Sequence, residues 1–121
     1  MKDQIKSIRT FIGAKDFETS RGFYREWGFE ENEIGKDLSY FYLNNIGFYL
    51  QDYYVKNWIS NTMAFLEIDN LDEYWKELRG KKLDKRFKNV KYIDPKEFEW
   101  GSEGFVYDPS GILWHVGSFK N

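Results

Sequence analysis

The chain has 121 residues, enough for one buried core and too few for two independent ones. It has no cysteine, which excludes disulfides, Cys-ligated zinc and a thiol nucleophile, and its net charge of −2 gives nucleic acid no attractive field. No apolar run approaches the roughly 20 residues of a membrane span, so a cytoplasmic protein with neither a membrane nor a nucleic-acid partner is expected.

Aromatic residues make up 21% of the chain, with five Trp, nine Tyr and eleven Phe. Such rings carry a large apolar area on two χ angles, and they serve either an aromatic core or a ring-lined pocket. The basic stretch from Arg79 to Lys91 is interrupted by Asp84 and reads as a solvated helix end and loop.

Residues Ile5 to Ala14 are strand-prone, with Ile8, Thr10 and Ile12 on one face and Arg9 and Phe11 on the other. Asp16 then caps a helix whose Phe17, Ser20, Phe23, Tyr24 and Trp27 recur at helical spacing until Gly28 stops it. Three extended pieces follow, Phe29 to Ile34, Leu38 to Leu43 and Ile46 to Tyr53, separated by turn-like Gly35-Lys-Asp and Asn44-Asn45.

Val55 to Ser60 reads as a connector, after which the order restarts. Thr62 to Ile68 is a strand, Asp69-Asn70 opens a helix over Leu71 to Leu78, and Leu83 to Phe87 is a weak strand. Asn89 to Phe98 reads as an irregular excursion. Trp100 to Tyr107 and Ile112 to Val116 then form a hairpin around Asp108-Pro-Ser-Gly111, a tight-turn composition.

Strand, helix and three strands are thus written twice, over about 5–54 and 61–118 within a single domain of 1–121. The expected fold is α+β: paired βαβββ units whose curved mixed sheets surround a groove. Period-2 alternation sends Thr10, Ile12, Ala64, Leu66, Trp114 and Val116 toward the helices, and Arg9, Phe11, Met63, Phe65, Glu67 and His115 toward the groove. His115 is the only histidine.

Three stretches carry a resemblance: Ala14-Lys-Asp-Phe-Glu-Thr-Ser-Arg-Gly-Phe-Tyr-Arg-Glu-Trp-Gly-Phe29, Phe65-Leu-Glu-Ile-Asp-Asn-Leu-Asp-Glu-Tyr-Trp75 and Tyr107-Asp-Pro-Ser-Gly-Ile-Leu-Trp-His115. They resemble the vicinal-oxygen-chelate superfamily of glyoxalases, extradiol dioxygenases and bleomycin-resistance proteins. Trp58-Ile-Ser and Pro95-Lys-Glu-Phe-Glu-Trp-Gly101 are most similar to the bleomycin-binding branch. The resemblance implies a homodimer with grooves between subunits.

It also implies four metal-ligand positions in the enzymes of the superfamily, which fall at Arg9, Met63, Tyr49 or Leu50, and His115. Arg is permanently cationic and Met a soft, weak donor, so a divalent metal and other cofactors are not expected. Glu67, Gln51 and Asp52 stand one or two residues away. Ser110 lacks the sequence around it that a serine nucleophile needs, and no catalytic residue is assigned.

The resulting expectation is metal-free binding of a small planar or aromatic molecule, as in drug-sequestering proteins. The alternatives are a metal-dependent lyase or dioxygenase, and a structural or regulatory dimer. By resemblance Trp100 and Trp58 are the stacking candidates. Glu103 stands beside Trp100, and Phe105 and Tyr107 share its strand. Residues 88–99 are a candidate lid.

Overall fold

A computed structural model describes residues 1–120; Asn121, the end of the expected domain, lies outside them. After a short 3-10 turn at Lys2–Gln4, the chain forms β1 (Phe11–Gly13), α1 (Phe17–Trp27), β2 (Glu30–Gly35), β3 (Leu38–Leu43) and β4 (Ile46–Gln51). It continues through α2 (Lys56–Ser60), β5 (Met63–Glu67), α3 (Leu71–Gly80), α4 (Leu83–Arg86), β6 (Lys91–Glu97), β7 (Gly101–Tyr107) and β8 (Leu113–Phe119).

Two four-stranded open sheets result, ordered β1-β4-β3-β2 and β5-β8-β7-β6. In each, the first strand pairs in parallel with the last and the remaining pairs are antiparallel. Both long helices start on a side-chain cap: Asp16 accepts from the Thr19 N–H at 3.1 Å, and Asn70 from the Glu73 N–H at 3.2 Å. Gly28, at φ 126°, ends α1 in a conformation that other residues rarely adopt.

The first strand is shorter than its sequence suggests, beginning at Phe11 with everything before it exposed. Its register accounts for the loss of residues 5–7. Phe11 lies opposite Tyr49 in a parallel pair, so residues before Ile8 run past the start of β4 at Ile46 and find no ladder partner.

The expected connector at 55–60 contains the short helix α2. Leu83 to Phe87 is a helical turn rather than a strand, because Leu83 and Phe87, four residues apart, both turn inward toward the core. The excursion at 89–98 is mostly strand β6, on the edge of its sheet. Pro95 is tolerated there, since an edge strand has one unpaired side, and the register shifts between Ile93 and Lys96. Most of the segment 88–99 is thus a sheet edge.

One core joins the halves. Tyr24 of α1 donates to Asp108 at 2.7 Å and accepts from the Trp114 indole at 2.9 Å. The other Asp108 oxygen accepts the backbone N–H groups of Ser110, Gly111 and Ile112 at 2.8–2.9 Å, which shapes the Asp-Pro-Ser-Gly turn. Burial pushes the Asp108 carboxyl up to about 6, against these four hydrogen bonds, and raises the Tyr24 phenol well above its ordinary value.

Both arginines of the basic stretch are paired internally. Arg79 pairs with Asp94 at 2.6 Å and Arg86 with Glu26 at 3.1 Å.

Candidate functional site

Helices cover one side of each sheet and leave the other open. On the second sheet, β5, β8 and β7 set Phe65, His115 and Phe105 side by side in one row. The neighbouring rows carry Met63, Leu113 and Tyr107, then Glu67, Gly117 and Glu103. Gly117 is required in this place: a Cβ there would meet the Phe65 ring at 2.8 Å, so its absence lets the ring lie across β8.

Trp100 stands at the tip of the β6–β7 hairpin, where the Phe98 and Gly101 backbones bond to each other. Its indole lies parallel to the Phe98 ring with centroids 5.6 Å apart, and it meets Phe119 at 5.3 Å and Phe65 at 6.2 Å. All four rings remain partly open, Trp100 at 38% and Phe119 at 52% exposure. His115 is fixed at the border of this cluster, with Nδ1 2.6 Å from Glu103 and Nε2 3.4 Å from the Met63 sulfur.

The first sheet repeats the plan with different residues. Phe11 and Tyr49 occupy the places of Phe65 and His115, their rings stacked at 4.9 Å. Arg9 donates to the Tyr49 hydroxyl at 3.1 Å and lies 4.0 Å above the centre of the Tyr40 ring. Leu50 is fully buried, so Tyr49 holds the open position on β4 that the sequence left divided between the two.

Of the sequence candidates, Met63, Phe65, Trp100, Glu103, Phe105 and His115 are brought together, with Glu67 and Tyr107 in adjoining rows. Arg9 and Phe11 belong to the other open face, and Arg9 is held by phenol rings rather than by Glu67. Trp58 lies elsewhere, on α2, with its ring beside Gly13 and Tyr53. The alternation pattern did not flag Phe98, Phe119, Tyr40 or Tyr49. Phe119 continues the odd-numbered open side of β8 through 113, 115 and 117, a signal the sequence does carry.

The places that the superfamily resemblance implies for a metal are held here by Arg9, Tyr49, Met63 and His115. A guanidinium, a phenol, a thioether and one imidazole do not fit a divalent zinc, iron, nickel or manganese ion. Among the described residues no three His, Cys, Asp or Glu side chains come together as a metal-binding group.

No family model and no curated protein matches the sequence. Solved structures do match. A bleomycin-binding protein complexed with bleomycin aligns over 96% of this chain and 100% of its own, with TM-score 0.79 and 15% identity. The chain has the fold of the vicinal-oxygen-chelate superfamily. The bleomycin-binding protein of Streptomyces verticillus, complexed with copper(II)-bleomycin, shares that fold at TM-score 0.77 and 18% identity, over 97% of this chain and 100% of its own. So does a lactoylglutathione lyase from Agrobacterium tumefaciens, at 0.69 and 16% over 95% of each chain. Binding proteins and a lyase thus share one vicinal-oxygen-chelate scaffold, and the fold does not choose between them.

Proposed function

We propose that this protein binds a small planar or aromatic molecule on the open face of its second sheet, without divalent-metal catalysis, in the manner of drug-sequestering proteins. The observation that carries this is the set of four half-open rings, Phe65, Phe98, Trp100 and Phe119, gathered on one surface with Glu103 and Glu67 beside them. Stacking a flat ligand on such a ring contributes about 0.5–1.5 kcal/mol beyond area burial, and a cation over a ring face about as much. A few of these contacts plus one ion pair give affinity on the order of micromolar.

In a single chain these rings face open solvent, and an apolar surface of this kind calls for a partner. We take that partner to be a second copy. The Arg9 face of one protomer is cationic and phenolic, the Glu67 and Glu103 face of the other is anionic, and a two-fold axis pairs them twice. The ligand then lies between subunits. Neither nucleic acid nor membrane is a partner in this reading, the site of action is the cytoplasm, and no helix among the described residues is long and apolar enough to cross a membrane.

Titration of the purified protein with bleomycin and smaller planar aromatics, read by tryptophan fluorescence, tests the reading. Saturable quenching supports it. Stoichiometric nickel, zinc, iron or manganese in elemental analysis would instead favour a lyase or dioxygenase. Silence from every ligand would favour a purely structural or regulatory dimer.

A further inference from the structure

On the helix side of the molecule, a cavity of about 200 Å³ opens between the end of α1, the end of β3 and α3. One wall is Tyr74, Glu77, Leu78 and Lys81, spaced i, i+3, i+4 and i+7, a single helical stripe. Trp27 and Leu43 face that stripe, so the floor of the cavity is apolar. Its rim is charged, and the two charges do not neutralise each other. Lys81 Nζ reaches across Gly28 to donate to the Glu26 carbonyl at 3.3 Å, which leaves two of its three N–H groups over. Glu77, one turn before it, forms no ion pair among the described residues, although a Glu four residues ahead of a Lys is the spacing at which helix pairs form. The Tyr74 oxygen accepts the Trp27 indole N–H at 2.7 Å, and no described residue accepts the phenol's own proton. Burial raises that phenol above its ordinary value, the Trp27 bond lowers it and Glu77 raises it again, so the proton stays on the oxygen.

We propose that this cavity binds a free amino acid with an apolar side chain of about leucine's size. The Lys81 ammonium and the Tyr74 hydroxyl donate to its α-carboxylate, Glu77 accepts from its α-ammonium, and its side chain lies on Trp27, Leu43 and Leu78. A simple carboxylate would meet the like charge of Glu77, and a simple amine that of Lys81. A zwitterion satisfies both signs at once, which makes the charged rim a source of specificity. The apolar floor supplies the burial that free glycine could not use.

The cavity shares no residue with the four-ring surface, so either site can bind without the other. Trp27 reports on it through the Tyr74 bond, because a phenol that donates to a ligand becomes a better acceptor. In a 15N spectrum, L-leucine is expected to shift the Trp27 indole signal saturably and to leave Trp100 in place. Leucinamide, which lacks the carboxylate, and isocaproate, which lacks the ammonium, are expected to bind at least about threefold more weakly, and glycine at least about tenfold more weakly. Glu77 is exposed and Lys81 partly so, and substitutions there keep the fold. Lys81→Met should weaken leucine binding by about threefold or more and leave leucinamide unchanged. Glu77→Gln should do the same to leucine and leave isocaproate unchanged or tighter. A Trp27 signal that does not move at millimolar leucine, equal affinity for leucine, leucinamide and isocaproate, or equal loss of all of them in either variant overturns the proposal.

Discussion

Phe11 and Tyr49 stand side by side on β1 and β4 of the first sheet, and Phe65 and His115 hold the same places on β5 and β8 of the second. Beside each pair stands a further residue of matching position, Arg9 in one case and Met63 in the other. Arg9 brings its own charge, bonded to the Tyr49 hydroxyl and held over the Tyr40 ring, so that face is cationic. Met63 is uncharged and meets His115 at 3.4 Å, so the charge beside that pair is carried by Glu67 and Glu103 instead. The scaffold repeats the positions, and the side chains alone decide what each position does.

Beneath the faces the contrast continues in a pair of buried carboxylates. Glu31, on β2, is clamped by Arg21 at 2.6 Å and Arg25 at 2.7 Å and bonded by Ser39. Burial pushes its carboxyl up, but the hydrogen bonds from Arg21, Ser39 and Arg25 outweigh that and leave it below its ordinary value. Asp108, just after β7, forms no salt bridge among the described residues and is pushed up to about 6 by burial.

The largest effect is expected from reversing the sign of one face. Arg9→Glu would set like charges against Glu67 and Glu103 of a second copy, and sedimentation should show dimerisation weakened about a hundredfold or more. Dimerisation as strong as in the natural chain would break the face-to-face pairing. Next, Trp100→Ala should weaken binding of a planar probe by roughly tenfold to a hundredfold while changing stability by less than about 1 kcal/mol, since the indole is half exposed. If it unfolds the protein, Trp100 belongs to the core. Phe11→Ala, on the opposite face, should cost the same probe less than Trp100→Ala does, and the reverse order would assign the site to the first sheet.

The smallest effects are those of pH, and they have opposite signs in the two halves. Asp108 has a folded value raised above its ordinary 3.8. Its contribution to stability is therefore fullest below that value and is lost as pH rises through about 6. Glu31 has a lowered folded value, so its contribution is present above 4.5 and is lost as pH falls through the folded value. Urea unfolding across this range should accordingly lose its alkaline-side decline in Asp108→Asn and its acid-side decline in Glu31→Gln.

Much of this architecture is readable in the chain itself. The caps at Asp16 and Asn70, the stop at Gly28 and the turn at Asp108 place both helices and the last hairpin, because local chemistry settles them. Alternation also assigns the open side of β5 and places His115 on the open side of β8. It fails where tertiary context decides: Leu83 to Phe87 folds as a helix because both apolar ends reach the core, and β6 forms despite Pro95 because it lies on an edge. It is equally silent on Phe98 and Trp100, which come together only because a hairpin tip swings them beside Phe65 and Phe119.

The direct test of the ring-face account is the set of indole N–H signals in a 15N spectrum. Trp27, Trp75 and Trp114 each donate to a named acceptor, Tyr74, Asp94 and Tyr24, and should hold still when a planar aromatic probe is added. The account predicts that the Trp100 signal shifts most and saturates with the probe. A Trp100 signal that stays in place while another indole responds would contradict it.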